Sequence, residues 1–207
     1  MKGLLLKDFY MAKKYCKMIL VCIIVFAGVS VAEPSNLFYQ FYPVVMASIL
    51  PVTILGYDEK CHWNIYGQIF PYSRKQFVSV KYLMSLFYVC GMWLLLAAVQ
   101  IVGMLVNERG AQDNFLFFFF LVLSSGILSS GILLPVIFKF GTEKGRLAYL
   151  VIIALICGGG AASMSTDISL YIPVSANVLS LLILTGSVAV FFLSWLLSMK
   201  IYEKREL

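Results

Sequence analysis

Six apolar segments, near 17–33, 37–57, 80–106, 115–138, 147–164 and 177–199, leave this chain few ways to fold. A run of about 20 mostly apolar residues is long enough to cross bilayer hydrocarbon as a helix. Backbone groups cannot stay unpaired there, and the alternating polar pattern of a transmembrane barrel is absent, so each segment is expected to be helical. With 61% apolar and 13% charged residues, the chain lacks the charge a soluble domain carries. The expected fold class is an all-α membrane protein, one transmembrane domain over residues 1–207, with six spans. The first span, "KMILVCIIVFAGVSVA", is short and needs its flanks to finish the crossing. No small-residue cleavage site follows it, so it reads as a span rather than a leader.

Lysine and arginine set the expected orientation. With the N-terminus in the cytoplasm, all sixteen basic residues except Arg109 fall on that side. They are Lys2, Lys7, Lys13, Lys14 and Lys17 before the first span, Lys60, Arg74, Lys75 and Lys81 after the second, Lys139, Lys144 and Arg146 after the fourth, and Lys200, Lys204 and Arg205 in the tail. Both termini are therefore expected to be cytoplasmic. The formal charge of +6 speaks to anionic headgroups rather than nucleic acid. Five cysteines make no metal spacing and no pair in an outside loop, so reduced thiols are expected.

The arm "KGLLLKDFYMAKKYC" reads in two ways. On a helical wheel Lys7, Lys13, Lys14 and Lys17 gather opposite Leu4, Leu5, Phe9, Met11, Ala12 and Tyr15, which suits an interfacial helix over residues 1–16. The plainer reading is a solvated basic arm. Asp8 breaks the apolar face, and the pattern gives no reason for it. Residues 165–176 read either as a re-entrant piece or as an ordinary outer loop. "SSGILSSG" (124–131) and "CGGGAASMS" (157–165) place small residues four apart and read as packing surfaces. "FLFFFF" (115–120) reads as lipid-facing or interfacial.

Chemistry is scarce. No charged residue sits mid-span, which argues against a proton relay or a charged channel ring. Ser48, Thr53, Gln100 and Thr185 can each bond to their own helix backbone. No nucleotide-binding loop, protease helix or nucleophile elbow occurs, and one histidine cannot build a metal site alone. No catalytic residue, metal or cofactor is expected in the chain itself.

The connector "GYDEKCHWNIYGQIFPYSRKQF" (56–77) stands out. Asp58 and Glu59 suit the first turn of a new helix, where acids meet the positive end of the dipole. Trp63, Tyr66 and Phe70 form an aromatic stripe, Pro71 ends it, and Ser73-x-x-Gln76 is a capping box opening the third span. Such a helix is suited to a partner's groove, or else to anchoring in headgroups.

Residues 57–83 resemble the first cytoplasmic connection of small bacterial ABC-2 type permeases, at Asp58, Glu59, Lys60, Trp63, Tyr66, Pro71, Ser73, Arg74, Lys75, Lys81 and Tyr82. The opening "LLLKDFYM" resembles the start of that family as well, while Phe70 and Cys61-His62 depart from its pattern. The resemblance implies a plasma-membrane exporter in which residues 58–70 are a coupling helix, with Asp58, Glu59, Lys60, Trp63, Tyr66, Phe70 and Arg74 docking on a separate ABC ATPase. Two ATPase copies would bind ATP and Mg, and a second permease copy or close paralogue would complete the pore as a dimer. The aromatic and aliphatic side chains Phe38, Tyr39, Phe41, Tyr42, Met46 and Met164 point to amphipathic or hydrophobic cargo. The likeness to permeases that export phenol-soluble modulins favours amphipathic peptides. The alternatives are efflux of lipids or hydrophobic drugs, and a non-transporting anchor or sensor subunit.

Overall fold

In a computed structural model of the chain, residues 2–15, 17–32, 37–61, 63, 73–106, 115–148, 150–151 and 176–204 are described. They are helical almost throughout. The helices are α1 (Lys2–Tyr15), α2 (Lys17–Ala32), α3 (Leu37–Lys60), α4 (Arg74–Val106), α5 (Phe115–Phe140), α6 (142–148, with 150–151 also helical) and α7 (Ala176–Lys204). Four helices hold stretches long and apolar enough to cross a bilayer: Tyr39–Lys60, Arg74–Ile101, Phe117–Phe140 and Val178–Glu203. The 16 residues of α2 rise only about 24 Å, short of about 30 Å of hydrocarbon. The expected span at 147–164, the packing motif at 157–165 and the segment 165–176 lie almost wholly outside the described residues.

Each start and stop has a local cause. The capping box at α4 forms reciprocally: the Gln76 amide donates to Ser73 Oγ at 3.3 Å, and the Ser73 amide donates to Gln76 Oε1 at 3.2 Å. Helix α5 ends at Gly141, whose φ of 84° lies in the left-handed region that a side chain disfavours. Its amide closes the last turn on the Ile137 carbonyl at 2.8 Å. The chain then doubles back so tightly that a Cβ on Gly145 would stand 3.0 Å from Ile137 Cα.

Helix α3 is central, packed by α1, α2, α4 and α5, while α5 lies along α7. "SSGILSSG" makes these approaches close, as expected for helices packing in lipid. Gly126 faces Val44 and Val89, Ser129 meets Ser48 at 2.8 Å, and Gly131 faces the Phe191 backbone. Pro135 lacks an amide for the Gly131 carbonyl one turn back. Ser194 of α7 supplies the missing donor at 2.6 Å, and its hydroxyl also meets Tyr82 of α4 at 2.7 Å. Thus the break in α5 becomes the junction of three helices. Ser48, Thr53 and Thr185 donate to carbonyls of their own helices, as expected. Phe119 packs on Trp93, with centroids 4.2 Å apart, and its carbonyl accepts the indole N–H at 2.9 Å. The aromatic run therefore holds α4 to α5 as well as lining the surface.

Candidate functional site

The C-terminal end of α3, the N-terminal end of α4 and the C-terminal ends of α5 and α7 meet at one end of the bundle. Arg74 there donates to the Glu203 carbonyl at 3.2 Å, and Lys75 pairs with the Glu203 carboxylate at the same distance. Lys60 and Arg146 line one cleft at these helix ends, and Lys139 and Lys200 line another.

Beneath that rim lies a cluster of two lysines and two aspartates. Lys81, 1% exposed, donates to Asp8 Oδ2 at 2.7 Å and to Asp58 Oδ2 at 2.8 Å. Lys7 donates to Asp58 Oδ1 at 2.5 Å and stands 3.8 Å from Asp8 Oδ1. Formal charges cancel across the four side chains, which offsets the cost of burying Lys81, Asp8 and Asp58. The Lys7 ammonium is held below the ordinary lysine value because burial outweighs the pull of Asp58 and the smaller one of Asp8, while the Lys81 charge pushes the same way as burial. Lys7 also lies over the Trp63 ring, 4.1 Å from its centroid, a cation–π contact. The cluster so joins α1, the end of α3, the start of α4 and Trp63 of the connector.

Three expectations change here. Asp58 and Glu59 do not open a new helix. They occupy the last turn of α3, where the Cys61 amide still bonds to the Tyr57 carbonyl at 3.0 Å. Asp58 is 1% exposed, and its two oxygens are engaged by Lys7 of α1 and Lys81 of α4. In α1 the buried stripe is Leu4, Asp8 and Ala12, one turn apart each, whereas Phe9 is exposed and Lys7 turns inward. Lys81 likewise leaves the headgroup rim for the interior. Asp8, without a reason in the pattern, lies at the middle of the α1 contact.

Glu59 does sit at a helix N-terminus, but at that of α6. Its Oε2 accepts the Thr142 amide at 3.0 Å and the Thr142 hydroxyl, so a carboxylate meets the free amides and positive dipole end of that helix. Beside it, Thr53, Gly56, Tyr57, Lys60, Glu143 and Arg146 line a cleft of about 160 Å³. Glu59→Ala should cost about 1 kcal/mol, the worth of a cap, whereas Glu59→Gln should restore most of it. Thermal unfolding of the two variants in detergent measures this; equal losses would mean that only the charge matters.

The other predicted residues divide. Lys60, Cys61 and Arg74 are exposed at the basic end, and Trp63 is half-buried against Lys7. Tyr66, Phe70 and Met164 lie outside the described residues. Tyr39 and Tyr42 face α2, with the Phe26 ring 6.3 and 4.3 Å from theirs. Phe41 and Met46 pack against the core instead. Phe38 lies in the first turn of α3. Among the described residues no three His, Cys, Asp or Glu side chains are grouped to hold a metal.

No curated protein and no solved structure matches the chain. A family model described as "ABC-2 family transporter protein" matches residues 3–203, which takes in α1, the ionic cluster, the connector and α7. The chain accordingly belongs to the ABC-2 transporter family, the membrane permeases of ABC transporters.

Proposed function

We propose that this chain is the membrane subunit of an ATP-driven exporter, inserted in a bacterial plasma membrane with both termini cytoplasmic. A separate ABC ATPase, two copies per transporter, docks at the basic end and supplies ATP hydrolysis with its own ATP and Mg. The other half of the membrane unit is a second copy or a close paralogue. The observation that carries this reading is the seat of Trp63 on Lys7 at 4.1 Å, because it ties the connector to the buried cluster and through it to three helices. Force applied to the connector reaches α1, α3 and α4 through charge pairs rather than through a loose loop.

Docking residues are then Lys60, Trp63 and Arg74 with Tyr66 and Phe70, while Asp58 and Glu59 form the brace behind them. The cargo is an amphipathic or hydrophobic peptide of the modulin type, moved between the two permeases past the aromatic face of α2 and α3. Inside-out vesicles holding the chain and its ATPase should accumulate such a helical peptide only with ATP. Uptake of a lipid or hydrophobic dye in place of the peptide would redirect the cargo assignment. No ATP-dependent uptake of any of the three would leave an anchor or sensor subunit.

A further inference from the structure

Between the basic ends of α5 and α7 runs an open groove of about 790 Å³. Its floor is Pro135, Val136, Phe138, Leu197 and Ile201, and its rim carries Lys139 and Lys200. Both lysines are exposed, and among the described residues neither forms an ion pair, although Lys75, Lys7 and Lys81 all do. Lys139 leans over the Phe140 ring at 5.2 Å, itself 52% exposed. At the mouth of the groove Gly141 turns the chain back, towards the α3 side where Thr142 meets Glu59.

An apolar trough ending in two ammonium groups that have no ion-pair partner among the described residues matches one kind of molecule. We propose that this groove holds an anionic phospholipid, with an acyl chain along the floor and the phosphate on Lys139 and Lys200. A zwitterionic lipid fits the floor equally but gains nothing from the pair of charges. Basic pockets between transmembrane helices on the cytoplasmic side recognise anionic headgroups in this way. At about 1 kcal/mol for each lysine near such a surface, the preference for the anionic lipid is about 30-fold.

The test uses the full chain, in whatever assembly it purifies, in mild detergent with equal phosphatidylglycerol and phosphatidylcholine. Native mass spectrometry then counts the lipid retained. The unaltered chain should keep phosphatidylglycerol at about 30-fold over phosphatidylcholine. K139Q/K200Q should bring that ratio near one, and Leu197→Trp, which fills the floor, should lower retention of both lipids. K13Q/K14Q removes the same charge from exposed positions on α1 and should change nothing. All these side chains are exposed, so each variant tests the groove rather than folding. Unchanged retention in K139Q/K200Q overturns the proposal. So does equal loss in K13Q/K14Q, which would mean diffuse charge attraction. Full retention in Leu197→Trp would mean an anion held by the lysines without an acyl seat, and that also overturns it.

Discussion

Lys81→Met should cost about 3–5 kcal/mol, because it strips the shared cation from Asp8 and Asp58 and leaves a buried carboxylate uncompensated. Methionine keeps the apolar stem, so lost packing contributes little. Pairing the change with Asp8→Asn removes one negative charge as well and leaves Lys7 with Asp58 as a neutral pair. The double variant should therefore be more stable than Lys81→Met alone, with a coupling of about 2 kcal/mol or more across the cycle. Thermal unfolding of the four proteins in detergent reads it directly. Additive losses would mean that the lysine and the aspartate act separately, and the cluster would not be the joint between α1 and α4.

Gly126→Leu should be nearly as damaging, for a steric reason. The first added carbon alone would stand 2.5 Å from Val44 Cγ1 and 2.8 Å from Val89 Cγ1, so α3 and α4 must both retreat from α5. Valine side chains are stiff and cannot swing aside. Overpacking of this kind costs about 1–3 kcal/mol for modest additions, and a whole isobutyl group at a three-helix contact belongs at the upper end. Gly186→Leu on α7 is the control, since nothing lies within 4 Å of its would-be Cβ. It should stay within about 0.5 kcal/mol of the unaltered chain. Equal losses at the two glycines would point to helix-propensity or insertion effects rather than to packing.

Much of this was legible one helix at a time. Apolar length marked α3, α4, α5 and α7, and Ser73-x-x-Gln76 marked the start of α4 because a capping box is a local device. Small residues four apart marked the face of α5 that others approach. Pairing between helices was not legible. Periodicity says which residues of α1 share a face, yet it does not say that Asp8 meets a lysine 73 positions later. A signal existed even so: an aspartate between Leu4 and Ala12 needs a cation, and Lys81 is flanked by Val80 and Tyr82 in an apolar helix. The boundary at Asp58 went astray for a different reason. Acids suit the first turn of a helix, but α3 runs straight through Gly56, with no proline from there to Lys60 to stop it, and spends those acids on its neighbours. Glu59 does not open a helix of its own, but its carboxylate meets the N-terminus of a helix 83 residues away.

The most direct measurement is recovery of an ABC ATPase with this chain, purified from its own cells in mild detergent. The unaltered chain should bring the ATPase in equal amounts. Lys60→Glu combined with Trp63→Ala, which changes the exposed Lys60 and the half-buried Trp63 and keeps Asp58 and Glu59, should reduce recovery at least tenfold while the chain stays inserted and monodisperse. If the ATPase is absent from the unaltered preparation, or binds the double variant as well, the basic end is not its docking face and the coupling role of the connector is wrong.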